Sequence, residues 1–284
     1  MSNRQQSVFS LAVLVAALGY FVDIYDLLLF SIIRIPSLKS LGLNDDQISK
    51  DGLFIINIQM LGLLIGGILW GVLGDKKGRL KVLFASIILY SLGNIANGFV
   101  QNVNQYALVR FISGIGLAGE LGAGITLVAE LLPKEKRGIA TSFVAGLGLT
   151  GAVVAFFIKE NFEWRTCYFI GGGLVFVLLI LRVKVLESGM FKSIEKSNVS
   201  KGNFFMLFTN KTRLRKYLTA IFIGLPTWYV IGILITFSKE FGTKMNIKGA
   251  IDPGKAVMFA YVAISVGDVL VGFVSKWLQS RKQA

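Results

Sequence analysis

Five charged side chains lie within stretches otherwise apolar enough to be buried on every side: Asp23, Asp26, Arg110, Glu120 and Asp268. An ionised group in hydrocarbon is costly unless it is paired or faces water, so each marks a candidate functional position. Asp23 and Asp26 are three residues apart, which on a helix sets them about 60° apart on one face. Two carboxylates so placed repel, and at least one needs a proton or a basic partner. A carboxylate that alternates between those two conditions is what proton coupling requires; the plainer reading is a buried polar pair that stitches helices together. Tyr20 and Tyr25 beside these acids, and Trp228 and Tyr229 beside Pro226, are amphipathic rings suited to lining a central cavity. Interface anchoring or packing explains any one of them as well. With no histidine and one cysteine, Cys167, the chain lacks the commonest metal ligand and proton shuttle and cannot form an internal disulfide. No metal, cofactor or catalytic residue is expected, and no nucleophile–base pair suggests an enzyme.

The elements that must position these groups are long and apolar. Hydrophobic residues make up 54% of the chain, charged residues 16%, and the mean hydropathy is +0.67, against about 25% charged in ordinary soluble domains. Apolar runs fall near residues 8–33, 53–74, 80–99, 105–128, 139–158, 165–185, 217–238 and 256–278. Each is long enough to cross about 30 Å of hydrocarbon as a helix, and none alternates as barrel strands do. The expected fold is all-α and integral to the membrane. With a cytoplasmic N-terminus, the inward-facing segments collect about twenty of the 30 Lys and Arg residues, as the positive-inside tendency requires. The net charge of +14 therefore reads as membrane topology and not as nucleic-acid binding. Met1–Gln6 is too short and polar for a targeting peptide.

Residues 182–216 form a basic, polar interruption after the sixth run. They divide the chain into a six-helix domain at 1–185, a cytoplasmic linker at 186–216 and a two-helix segment at 217–284. The linker is either a flexible tether or carries short interfacial helices around Phe204, Phe205, Leu207 and Phe208. Pairs such as Gly62 and Gly66, or Gly67 and Gly71, and the series Gly114, Ala118, Gly122 have the small-xxx-small spacing that lets helices approach closely.

The turn Gly71-Val-Leu-Gly-Asp75-Lys76-Lys-Gly78-Arg79 resembles the signature between the second and third helices of the major facilitator superfamily. Glu130-Leu-Leu-Pro133-Lys-Glu-Lys-Arg137-Gly is similar to the corresponding turn after the fourth helix of sugar porters and organic-ion relatives. Asp23-Ile-Tyr-Asp26-Leu looks like the first-helix motif of phosphate and metabolite symporters, and Gly119-Glu120-Leu-Gly122 like their acidic fourth-helix site. The resemblance implies a facilitator fold with a complete N-terminal six-helix bundle and the first two helices of the C-terminal bundle, truncated after the eighth.

It further implies proton-coupled symport of a small polar metabolite or organic anion by alternating access. Asp26 would pair with Arg110, with Asp23 or Glu120 tuning the coupling. Gly71, Asp75, Lys76, Gly78, Arg79, Glu130 and Arg137 would form a conformational latch. The fifth run, Gly146-Leu-Gly148-Leu-Thr-Gly151, lacks the glycine-proline pair of drug:proton antiporters, which favours symport. A sugar, phosphate or siderophore transporter and a non-transporting sensor are the alternatives. The expected partners are substrate, protons and the bilayer of a bacterial inner membrane, with a monomer at full length and no nucleic acid.

Overall fold

The computed structural model describes residues 11–77, 79–131, 134–187 and 204–279. Long helices dominate, in the order α1 (Leu11–Ser40), α2 (Asp45–Lys77), α3 (Arg79–Asn97), α4 (Val103–Leu131), α5 (Lys134–Asn161) and α6 (Trp164–Glu187). A 3-10 turn (Phe204–Leu207) leads into α7 (Lys211–Tyr229), a π-helical turn (Val230–Ile235), the short α8 (Ser238–Lys244) and α9 (Pro253–Trp277). Among the described residues six helices are long and apolar enough to cross a membrane. The third run is shorter in its described apolar part, Val82–Asn97. The fourth is the 29-residue α4, which carries Arg110 and Glu120.

Several helix ends are written in the local sequence. α1 stops because Gly42 adopts φ 84°, the left-handed conformation that glycine reaches without a Cβ clash. Leu43 N–H then reaches Leu38 O at 3.3 Å and Gly42 N–H reaches Lys39 O at 3.0 Å, closing the helix with a paired C-terminal motif. α2 starts two residues later through a reciprocal cap. Asn44 Oδ1 accepts from Gln47 N–H at 2.9 Å, and Gln47 Oε1 accepts from Asn44 N–H at 3.0 Å. Asn102, Asn210 and Asp252 side chains likewise accept from the first N–H groups of α4, α7 and α9.

The seventh run departs from its expected single span over 217–238. Its helix begins earlier, at Lys211, and changes to π spacing at Val230, four residues after Pro226. Proline has no N–H to give to the preceding turn, and such interruptions commonly reset helix spacing. The expected linker at 186–216 is also helical at its edges, since α6 extends to Glu187 and α7 starts at Lys211. Residues 188–203 lie outside the described residues.

Packing is inverted relative to a soluble protein. In its membrane-span window α1 is 78% buried, whereas α2 is 28% and α7 only 6% buried. α1 runs through the middle, against α4, α5 and α6, with α2 against α4 and α3 against α4 and α6. α9 lies antiparallel along α5, from a Gly272–Ser142 contact at one end to a Lys159–Asp252 ion pair at the other. Leucine, isoleucine and phenylalanine side chains such as Leu64, Leu92, Phe222 and Phe273 face outward, as they must if the outside is hydrocarbon.

The α2–α4 contact explains part of the glycine pattern. A Cβ on Gly66 would lie 2.5 Å from Ile115 O, and one on Gly114 would lie 2.5 Å from Gln59 O. Both clash with backbone of the facing helix. Gly67 and Gly71 face open space and take no part in this contact. Gly66→Val is therefore expected to lower the thermal unfolding midpoint in detergent, at a cost of about 1–3 kcal/mol, while Gly67→Val leaves it unchanged. Equal midpoints would remove this close approach as a determinant of stability.

Candidate functional site

Asp26 and Arg110 meet at the centre of the bundle. Arg110, on α4, places Nη1 3.1 Å from Asp26 Oδ1 and Nη2 3.2 Å from Asp26 O, both on α1. Its Nε donates to Gln59 Oε1 on α2 at 3.2 Å. The guanidinium also sits 5.6 Å from the Tyr168 ring and 5.9 Å from the Phe30 ring, within cation–π range. Tyr168 is fixed in turn by its hydroxyl contact with Tyr106 at 2.7 Å and by Trp164. Four helices thus converge on one fully buried arginine.

The pair is incompletely satisfied by protein. Asp26 Oδ2 and Gln59 Nε2 are buried and find no hydrogen-bond partner among the described groups, and the buried amide of Asn94 neighbours Asp26. Buried polar atoms of this kind take up water or a polar ligand when one is present.

A second charged cluster lies one turn nearer the α1 N-terminus. Glu120 Oε1, on α4, is 2.7 Å from Arg182 Nη2, on α6. Asp23, on α1 four residues beyond Gly19, is buried near this pair, and its Oδ1 finds no hydrogen-bond partner among the described groups. All three are buried, with side-chain exposures of 1% or less for Glu120 and 7% for Arg182. Gly19 makes the space: a Cβ there would collide with the Arg182 guanidinium and approach Glu120 Oε1 to 3.0 Å. Glu120 therefore does not join Arg110 but pairs with an arginine that sequence reasoning counted as a linker-side charge.

The other expected residues divide. Tyr25 is buried and donates to Cys167 O at 2.8 Å; Tyr20 is half-buried between Asp23 and Asp268. Trp228 and Tyr229 are half-exposed on α7, which packs chiefly on its own flanking turns, so they stand apart from both clusters. Gly71, Asp75 and Lys76 lie along the last turns of α2, and Asp75 is engaged in an interaction. Gly78 lies outside the described residues, as do the side chains of Arg79, Glu130 and Arg137.

Sequence reasoning missed a third cluster, at the end of the bundle opposite the Asp75 turn. Arg34, on α1, is fully buried and contacts Glu240 Oε1, on α8, at 2.6 Å. It also donates to Ile48 O at 3.3 Å and Thr236 O at 3.2 Å and lies 4.4 Å from the Phe237 ring. Ser49 Oγ reaches the same Glu240 oxygen at 3.2 Å. The available signal was a lone arginine between Ile33 and Ile35, one residue past the first apolar run. The flanking Asp45 contacts to Lys39 and Lys239, at 3.7 and 3.6 Å, are exposed and add little.

The family model of the Major Facilitator Superfamily matches residues 9–284. The niacin transporter NiaP of Acinetobacter baylyi is 32% identical over 61% of this chain and 40% of its own length. The putative niacin/nicotinamide transporter NiaP of Bacillus subtilis is 29% identical over 68% of this chain and 48% of its own. The sialic acid transporter NanX of Escherichia coli is 27% identical over 93% of this chain and 68% of its own. The chain thus spans about half the length of the first two. Among solved structures, the inward open conformation of the xylose transporter XylE from E. coli aligns with a TM-score of 0.56 at 19% identity. It covers 95% of this chain and 67% of that one.

Two outcomes test the clusters. Arg110→Met strands a buried carboxylate and is expected to cost about 3–5 kcal/mol of stability, measured as a drop in thermal midpoint; an unchanged midpoint would mean that the pair does not hold the bundle. Glu240→Gln should increase thiol labelling of a Ser49→Cys reporter against the Ser49→Cys parent, with the buried Cys167 as internal control. Equal labelling would mean that Arg34 does not close this end.

Proposed function

Because the chain belongs to the Major Facilitator Superfamily, a family of membrane transporters and not of enzymes, we propose that it couples proton movement to uptake of a small organic carboxylate by alternating access. The carrying observation is that Arg110 is the central buried cation and that its charge is consumed by Asp26. A substrate carboxylate can claim the guanidinium only if Asp26 lets it go, and Asp26 can be left buried without a counter-charge only if it takes a proton. Proton and anion then enter together with no net charge added to the site. Gln59 Nε2, buried and unpartnered beside the pair, and the neighbouring amide of Asn94 are suited to the substrate's remaining oxygens.

The relatives support this class of substrate. Niacin, sialic acid and benzoate, named for the proteins to which this chain is similar, are all carboxylic acids. A bidentate arginine is matched to that group.

The same reading gives the two ends opposite duties. Arg34 and Glu240 tie α1 and α2 to α8 across the outer end. The Gly71–Arg79 turn, with Glu130 and Arg137, would latch the cytoplasmic end when the outer contact opens. The basic residues Lys76 and Lys77 at the end of α2 support a cytoplasmic location for that end and for the N-terminus, in the inner membrane of a bacterial cell. Residues 1–185 then act as one moving half, 217–284 belong to the other, and 186–216 join them.

Uptake into proteoliposomes under an imposed proton gradient tests the proposal, with radiolabelled nicotinate, benzoate, sialic acid, xylose and phosphate as the panel. Gradient-driven carboxylate uptake that falls at least tenfold in Asp26→Asn is the expected result. Uptake indifferent to Asp26→Asn would sink the coupling role of that residue. Accumulation of xylose but not carboxylates would show that Arg110 stays with Asp26 throughout and that the substrate is neutral. No uptake of any solute would leave the sensor reading.

A further inference from the structure

Arg34 is fully buried, yet the acid that neutralises it comes from a distant part of the chain. Glu240 Oε1 lies 2.6 Å from Arg34 Nη2, and Thr236 O accepts from the same nitrogen at 3.2 Å. The Phe237 ring centre is 4.4 Å from the guanidinium carbon. All three partners lie beyond residue 217. Among the described residues, α1 and α2 offer the guanidinium one acceptor, Ile48 O, at 3.3 Å from Nη1. Ser49 Oγ stands beside the pair, 3.2 Å from the bridging Glu240 oxygen. Gly52 makes the space, since a Cβ there would lie 2.6 Å from Arg34 Cδ.

The contact with Glu240 leaves the guanidinium fork incompletely used. Arg34 Nε and Glu240 Oε2 are both buried and find no hydrogen-bond partner among the described groups. One carboxylate oxygen meets one nitrogen, where a carboxylate free to turn takes two neighbouring N–H groups of the planar fork. When the outer end opens, Glu240, Thr236 and Phe237 withdraw together. A guanidinium stripped of its counter-charge is costly until another anion meets it.

We propose that Arg34 is a second, outer binding position for the substrate carboxylate, and that Glu240 is its built-in stand-in, taking the guanidinium once that carboxylate has moved on. This rests on the carboxylate-uptake reading above and deepens it by giving the substrate an entry site on the same helix as Asp26. Glu240 and a bound carboxylate compete for one nitrogen, so the outer end closes behind the substrate and not upon it. The way inward is short. Gly52, Ile55 and Gln59 are buried on α2 at helical spacing, with Gly52 against Arg34 and Gln59 accepting from Arg110. Two helical turns separate Gly52 from Gln59, about 10 Å along the axis, and the hand-off from Arg34 to Arg110 runs beside that stripe.

Ser49 supplies the readout, because a carboxylate that replaces Glu240 on Arg34 lies against it. The background is Glu240→Gln with Ser49→Cys in the 284-residue chain, and the buried Cys167 is the internal control. The probes are nicotinate and benzoate, with nicotinamide and benzamide as uncharged analogues of the same rings. Both acids are expected to slow N-ethylmaleimide labelling of the introduced thiol several-fold, both amides to leave it unchanged, and Arg34→Gln in that background to abolish the protection. The comparison of acid with amide is made with Arg34 in place, so it holds however well Arg34→Gln folds. Equal protection by the amides, protection that survives Arg34→Gln, or no protection by either acid overturns the outer site.

Labelling requires neither a gradient nor transport, which separates this site from the proposed function. If the acids protect the thiol while wild-type uptake ignores both the gradient and Asp26→Asn, the proposed coupling fails and the outer site stands. If the chain accumulates nicotinate under a gradient but the thiol is never protected, the proposed function stands and the outer site fails.

Discussion

A charge inside this molecule has nowhere to go but to another charge on a different helix, and that constraint organises the interior. Asp26–Arg110 joins α1 to α4, Glu120–Arg182 joins α4 to α6, and Arg34–Glu240 joins α1 to α8. Apolar packing cannot select these arrangements alone, because the lipid outside is as apolar as the side chains within. Pairing is directional and demands one register between helices, so a few ionic contacts fix how a largely featureless set of apolar cylinders must stand. The cost of separating such a pair is what makes it able to report on, and resist, a change in shape.

α1 is the consequence of that constraint at the level of one helix. It holds Asp23, Asp26 and Arg34, one in each cluster, and is buried along almost its whole length. Its neighbours are arranged by what each contributes: α4 supplies both a base and an acid, α6 the second base, and α2 the amide of Gln59. Close approach follows where glycines thin the backbone surface, at Gly66 and Gly114 between α2 and α4 and at Gly19 beneath Arg182. Large aliphatic side chains are left to the periphery.

How much of this was legible in the sequence depended on whether the signal was local. Helix existence was legible from run length, and the Asp26–Arg110 partnership from resemblance. The helix ends were available in Gly42, Asn44, Asn102 and Asn210, whose side-chain chemistry is local. Arg182 and Arg34 were not, because a basic residue at the edge of an apolar run has the same composition whether it snorkels to water or turns inward. Only the fold supplies Glu120 and Glu240 as their partners, the latter more than two hundred positions away. The spacing change after Pro226 was similarly hidden: a proline announces that a helix is disturbed but not whether it bends, breaks or gains a residue.

That gained residue has a mechanical meaning. In the π turn, Thr236 N–H reaches back five positions to Ile231 O at 3.2 Å, and Thr236 O receives Arg34. Returning those bonds to ordinary α spacing would advance everything beyond by one residue, a rotation of about 100° about the helix axis. Glu240 and the Thr236 carbonyl would swing away from Arg34 together, since both follow the turn. The π turn thus ties the spacing of this helix to the engagement of a buried arginine on another one.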